Sequence, residues 1–312
     1  MIISHHIKTG LFTLLLGMTA SMMSCRQHQE ETDGHPESPG TQDMTFRTVH
    51  VPQSPSNILS LCASATDTII AMGERPRLAA IDEYGRIVPG TEGIHVIGQG
   101  SAISSEEVIA RHIDLAFIWW YQDDVARQLT GLGVPAVRLR SGRASEVPGM
   151  IRLVGECLGC RESADQIAKP IETFLQMPHK MPVSQPRVYL ELYTPFKTSG
   201  AGTYANDLIE MAGGLNIAAG TTGNVLLSPE LLIQSNPEII LFLNQPHGGS
   251  TIEHRGGLDA LLAIQLKRVY PINRYWLVAG SGMPQAVEQL GMILQSTNQT
   301  GDINHGVPQG HL

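Results

Sequence analysis

SSEEVIARHIDLAFIWW occupies residues 104–120, and SPELLIQSNPEIILFLN occupies residues 228–244. Both run in the same order: a Ser, a Glu two residues later, an apolar pair, a short polar stretch, an acidic residue and an apolar run. The first half of each reads as a short helix. Ser104 and Ser228 suit the N-cap, Pro229 suits the first helical position, and Glu106 and Glu230 place carboxylates in the first turn, where they oppose the helix dipole. The second half reads as a strand covered on both faces, because a short apolar run without alternation leaves no face for water. One helix-strand unit written twice in one chain points to two lobes of similar build.

The surrounding text extends this pattern. NILSLCASATDTIIAMG (57–73) reads as a buried strand, a turn and a helix closing at Gly73. RLAAIDEY (77–84) and IHVIGQG (94–100) read as strands, DDVARQLTGLG (123–133) as a helix and PAVRLR (135–140) as a strand. From about Ala144 the pattern becomes a long helical stretch, residues 145–177, interrupted near Gly159. Alternation then returns with the strand RVYLELY (187–193), the helix YANDLIEMAGG (204–214) and the second repeated unit. The helix GLDALLAI (257–264), the strand RVYPIN (268–273) and the helix GMPQAVEQLGMIL (282–294) complete it. Strands alternating with helices predict an α/β protein with parallel sheets. The simplest arrangement is two Rossmann-like lobes, residues 56–145 and 187–297, joined by a single long linking helix within 146–180.

The ends read differently. Lys8, the apolar stretch GLFTLLLGMTASMM (10–23) and the small residues before Cys25 form a secretory signal, too short to span a bilayer comfortably. RQHQEETDGHPESPGTQDMT (26–45) has almost nothing apolar to bury, so residues 26–55 are expected to form a disordered tether and residues 298–312 a polar tail. A Cys between an export signal and a polar tether resembles a bacterial lipoprotein signal, in which Cys25 would become the lipidated first residue; Met22 stands where Leu is commoner. Secretion without a lipid is the alternative. The protein is therefore expected outside the cytoplasmic membrane, lipid-anchored, with no later transmembrane helix. Its formal charge of -8 over 312 residues, without a Lys/Arg cluster, argues against a nucleic-acid partner.

Ligand contacts in such sheets are expected at loops beyond the carboxyl ends of the strands. Those positions hold Tyr84 with Arg86 nearby, Gln99, and Trp119, Trp120 and Tyr121 in the first lobe. The second lobe contributes Tyr193, Phe196, Lys197, Asn224, Arg274, Tyr275 and Trp276. Strand alternation places Trp119 and Tyr121 on one side and Trp120 in the core. Aromatic surfaces suit a large flat ligand, and Arg86, Lys197 and Arg274 suit anionic groups on it. A haem would want an axial Tyr or His, for which Tyr84, Tyr204, Tyr275 and His247 are available. The scattered histidines do not propose a site for a bare metal ion, and no resident cofactor is expected.

Four segments together, ILSLCASATDTIIAMG, SSEEVIARHIDLAFIW, YTPFKTSGAGTYANDLIEMAGGLNIA and LSPELLIQSNPEIILF, resemble the substrate-binding proteins of ABC importers for vitamin B12, haem and iron-siderophore complexes. The resemblance covers about residues 57 to 297. It implies two lobes on one backbone helix with the ligand in the cleft between them (class III periplasmic-binding-protein architecture), and as partners a permease dimer with its ATPase. It further implies that Glu106 and Glu230 dock onto the permease and that Tyr84, Trp119 and Phe196 match aromatic ligand contacts. Gln99 and Asn224 stand near positions that are Trp in the B12-binding members, a departure that weakens the case for B12 itself. The expected protein is a monomeric, non-enzymatic binding component for a metal chelate. Alternatives are a sensor or receptor of the same fold, a binding protein for an oxyanion such as molybdate, or, remotely, a thiol-disulfide redox protein.

That last alternative rests on Cys157 and Cys160. Redox pairs of this spacing usually sit at a helix start, where the thiolate is stabilised, whereas GECLGC (155–160) lies at the break in the linking stretch. A local disulfide or two quiet thiols is the plainer reading. Cys62, in the first strand-helix turn, reads as a small buried residue.

Overall fold

The computed structural model describes residues 40–178, 185–243 and 252–296. The expected signal with Cys25, most of the tether, His247 and the polar tail lie outside the described residues. The described chain opens with an antiparallel ladder of β1 (Thr41–Gln42) and β2 (Thr48–Val49). Residues 41–55, expected within the tether, belong instead to the first lobe. The Met44 amide donates to the Arg138 carbonyl at 3.1 Å, and Met44, Val49 and Val51 pack into the main core. The Asp43 carboxylate holds the intervening turn by accepting from the Thr45 and Arg47 amides at 2.8 and 3.0 Å. The polar composition masked these few apolar residues, which find a ready-made core to reach.

The first lobe comprises β3 (Ile58–Ser60), α1 (Ala63–Ala71), β4 (Leu78–Asp82), β5 (His95–Gln99), β6 (Ala102–Ile103), α2 (Ser105–Ala110), β7 (Leu115–Trp119), α3 (Asp123–Gly131) and β8 (Ala136–Leu139). Its sheet runs β6-β5-β4-β3-β7-β8, parallel except for the β5–β6 edge pair. β3, β8 and all of β7 but Trp119 are buried, as unbroken apolar runs require when helices cover both faces. The strand order reverses at β3, with β4 and β5 on one side and β7 and β8 on the other. A crevice is therefore expected outside the ends of β3 and β7.

The connection consists of α4 (Val147–Cys157) and α5 (Arg161–Gln176), folded onto each other at the anticipated interruption. Gly159 adopts φ 70°, a left-handed conformation that suits glycine. A Cβ on Gly155 would lie 2.2 Å from the Ala164 Cβ, so the absence of a side chain there lets α5 lie close on α4. Arg152 clamps the pair, donating to Asp165 and Glu172 at 2.7 Å each. The single linking helix expected within 146–180 is therefore two helices, because Gly159 ends the first.

That lobe contains β9 (Arg187–Glu191), β10 (Lys197–Ser199), α6 (Tyr204–Met211), β11 (Leu215–Asn216), β12 (Asn224–Leu226), α7 (Pro229–Ser235), β13 (Ile239–Leu243), α8 (Leu262–Gln265), β14 (Val269–Ile272) and α9 (Met283–Gln295). A parallel sheet runs β11-β9-β13-β14, and β10 pairs with β12 in an antiparallel ribbon. The helix expected over residues 257–264 shrinks to α8, because Gly257 at φ 86° keeps the preceding residues in turns, with Leu258 and Leu261 still buried. The main apolar core is continuous from Phe117 through Met150 and Ala164 to Leu208 and Leu290, so both lobes share it along the connecting helices.

Candidate ligand-binding cleft

The first-lobe wall is built where β4, β5 and β7 end. Asp82, the last residue of β4, accepts from the Gly85 amide at 2.8 Å and starts a one-turn 3-10 segment, Glu83–Ile87, that presents Tyr84. Burial pushes the Asp82 carboxyl up to about 6. Gln99, at the end of β5, donates to the Tyr84 hydroxyl at 3.4 Å, so these two expected site residues meet. Gln122 ties the neighbouring loops together: it accepts from the Trp119 amide at 2.8 Å and donates to the Gly100 carbonyl at 3.1 Å. Arg86 lies on the surface, 3.4 Å from Glu83, and its charge is matched there.

Trp119 and Tyr121 lie within 7° of parallel with ring centroids 6.5 Å apart, the same-side arrangement expected of them. Trp120 stands edge-on to both. The expectation for Trp120 itself needs correcting, because it is 38% exposed while Trp119 packs partly against the core. β7 ends at Trp119, and strand alternation has no force in the turn that follows. Tyr121 stands at the mouth of the crevice with much of its surface open. Burial of part of the ring nonetheless raises its phenol above the usual range, with smaller contributions from Cys62, Asp82, Tyr84 and Tyr193. Cys62 is fully buried and its thiol is pushed up to about 12 by that burial.

On the second lobe, the turn after β9 closes through the Leu192 amide on the Lys197 carbonyl at 2.8 Å and the Lys197 amide on the Thr194 carbonyl at 3.1 Å. This turn carries Tyr193, Phe196 and Lys197. Phe196 has φ 63°, an unfavourable conformation for a residue with a side chain, and its amide donates to buried Glu191 at 3.0 Å. Glu191 also accepts from the Tyr189 hydroxyl at 3.1 Å, and its two oxygens take both ends of the Arg255 guanidinium at 2.5 Å each. Arg255 in turn covers the Phe196 ring at 5.4 Å. Sequence reading missed Glu191 and Arg255; the available signal was a lone Glu in an otherwise apolar strand.

Arg274 lies over the Tyr193 ring at 5.3 Å, and its Nε is buried without a hydrogen-bond partner among the described residues. Lys197 likewise shows no side-chain hydrogen bond or ion pair among the described residues. Asn224 accepts from the Ser199 hydroxyl at 2.6 Å on the β10–β12 ribbon. The Tyr275 hydroxyl donates to Asp67 of α1, joining the two lobes. Asp67 also accepts from the Ser281 amide at 2.6 Å, and a Cβ on Gly280 would fall 2.2 Å from its Oδ2. Trp276 packs against the core. A second joint links Arg143 and the Ala144 amide to Asp207 of α6, at 2.8 Å each.

Away from the cleft, α2 and α7 repeat one another. The Ser104 hydroxyl accepts from the Glu107 amide and the Ser228 hydroxyl from the Leu231 amide, at 3.2 Å in each case. Glu106 and Glu230 are each held below the usual carboxylate range by their own backbone amide and by the capping serine. Val108 and Leu232 are buried beneath them.

Cys157 and Cys160 are buried and form no disulfide with each other, and burial pushes the Cys157 thiol up to about 12. A redox pair needs the opposite environment. Among the described residues no group of three His, Cys, Asp or Glu side chains is placed to hold a metal ion, and no helix is long and apolar enough to cross a membrane.

No family model matches the chain. The periplasmic haem-binding protein RhuT of Roseiflexus sp. RS-1 superposes with a TM-score of 0.71 at 22% identity, over 79% of this chain and 100% of that one. The fold is that of the class III periplasmic binding proteins. The vitamin B12 binding protein BtuF of Vibrio cholerae shares this binding-protein fold, with a TM-score of 0.65 at 21% identity over 78% of this chain and 98% of its own. In sequence, the chain is 22% identical over 307 residues to the uncharacterised ABC transporter substrate-binding lipoprotein YvrC of Bacillus subtilis, covering 93% of this chain and 96% of that protein. It is also 25% identical over 231 residues to the molybdate-binding protein MolA of Haemophilus influenzae, covering 65% and 66%.

Proposed function

We propose that the protein is the extracytoplasmic substrate-binding component of an ABC importer and that it captures a metal chelate between its lobes. The observation that carries this reading is the placing of aromatic rings at the strand ends of both lobes, Tyr84, Trp119 and Tyr121 on one and Tyr193 and Phe196 on the other. Such surfaces reward a bulky, partly apolar ligand, since each aromatic side chain can bury about 150–250 Å2. The relatives and structural neighbours support the transport role. Glu106 and Glu230, identically capped on the two lobes, would dock the loaded protein on a permease with complementary cations. Cys25 would carry a lipid anchor, in keeping with the lipoprotein name of the Bacillus relative.

The test is titration of the purified protein with cobalamin, cobinamide, haemin, ferric siderophores and molybdate, followed by absorption and calorimetry. Saturable binding of one chelate at one equivalent is the expected result. Tight binding of molybdate alone would replace the chelate reading with the oxyanion one, which the similarity to MolA favours. Binding of none would overturn both.

A further inference from the structure

We propose that Ile109 on α2 and Ile233 on α7 are apolar contacts to a two-fold protein surface, which presents an apolar recess beside a cation at each of two equivalent places. This rests on the docking role given above to Glu106 and Glu230 and adds an apolar half to that contact. Counted from the capping serines, the two helices agree position by position. Glu106 and Glu230 are exposed, Val108 and Leu232 are buried, and Ile109 and Ile233 are exposed at 60% and 44%. Residues three apart on a helix are surface neighbours, so each Ile stands one turn along from its Glu.

A single exposed Ile needs no explanation. Two at the same position of a repeated unit do, because neither helix propensity nor the core asks for a β-branched apolar residue there. Each lies beside a carboxylate held below the usual range by its own amide and the capping serine, and so ionised at neutral pH. An apolar side chain next to a fixed negative charge fits a protein surface that offers a recess and a cation together. The same pair on both lobes fits a partner with two equivalent halves, such as a dimer of membrane subunits. The two places are not equal. Leu231, which follows Glu230, is exposed, whereas its counterpart Glu107 is engaged by His95 and by Arg111 at 3.7 Å. The second lobe therefore offers the more apolar face and should contribute more to holding the partner.

The experiment measures binding of the purified full chain to the importer's permease–ATPase complex in lipid nanodiscs, over empty discs of the same lipid, by biolayer interferometry at low and high salt. Ile109→Ser and Ile233→Ser should each raise the dissociation rate, about tenfold for Ile233 and less for Ile109, and the effect should persist as salt is raised. Glu106→Ala and Glu230→Ala should chiefly slow association, a loss that high salt levels out. Ile109→Val and Ile233→Val, which keep most of the apolar surface, should dissociate nearly as the unaltered protein does. Because both isoleucines are exposed and lie away from the cleft, the Ser variants should keep the native melting temperature and chelate affinity. Native dissociation rates in both Ser variants would overturn the apolar contact and leave docking through the carboxylates standing. No binding by the unaltered protein would retire the transport role, and this proposal with it. A dimer of the chain in sedimentation that both Ser variants abolish would put a second copy in the permease's place and overturn the proposal as well.

Discussion

The Tyr275 hydroxyl on the second lobe donates to the Asp67 carboxylate on helix α1 of the first, and the same carboxylate accepts from the Ser281 amide at 2.6 Å. Burial raises the Asp67 carboxyl, and these donors oppose that rise. A buried acceptor shared by donors from the other lobe makes this contact a joint between the lobes. Tyr275→Phe is expected to lower the free energy of unfolding by about 1–3 kcal/mol, the cost of leaving a buried acceptor short of a donor. Chemical denaturation measures it, and an unchanged midpoint would deny the joint any energetic role.

The Glu191–Arg255 pair holds the turn that carries Tyr193 and Phe196. Removing one partner of a largely buried ion pair leaves the other uncompensated, so Glu191→Ala should destabilise the protein by about 3–5 kcal/mol. The double change Glu191→Leu with Arg255→Met should recover part of the loss. Denaturation of the single and double variants gives the comparison; a double variant worse than the sum of its parts would contradict it.

Tyr121 and Trp119 separate ligand contact from packing. Tyr121 is 62% exposed, so Tyr121→Ala should leave stability within about 0.5 kcal/mol while weakening the bound chelate about tenfold. Trp119→Ala should weaken binding more than about tenfold and also lower the melting temperature, because Trp119 packs on the core as well. Calorimetric titration with thermal melts reads both quantities, and a Tyr121 variant with native affinity would remove that ring from the site.

Docking is predicted to be independent of capture. Glu106→Ala combined with Glu230→Ala should leave chelate affinity unchanged and abolish uptake by the reconstituted importer. Uptake at the native rate would dismiss both carboxylates as docking groups.

Asp82 sets a pH dependence. Its folded value, about 6, lies above the ordinary 3.8, so between those values the folded protein holds more protons at this site than the unfolded chain. This group's contribution therefore makes stability fall as pH rises from 3.8 to about 6 and stay level above that. Asp82→Asn should remove this slope from a plot of unfolding free energy against pH; a slope unchanged in the variant would assign it to another group.

Much of the scaffold could be read locally. The apolar runs of β7 and β13, the Ser caps of α2 and α7 and the left-handed glycines Gly73 and Gly159 each announce themselves through a few consecutive residues. The cleft was legible only in outline. Strand ends located Tyr84, Trp119, Tyr121, Tyr193 and Phe196, but not the departure of Trp120 from alternation once its strand had ended.

The sequence by itself determined an α/β chain of two similar units with a helical connection at Gly159, because periodicity, capping and glycine conformation are properties of neighbouring residues. It also marked the aromatic residues available to a cleft. Only the tertiary structure decided that residues 41–55 join the first lobe, that Glu191 meets Arg255 and that Asp67 meets Tyr275. These partners lie 64 and 208 residues apart, and no local pattern specifies which distant donor a buried carboxylate will find. The packing of two sheets on a shared core settles that choice.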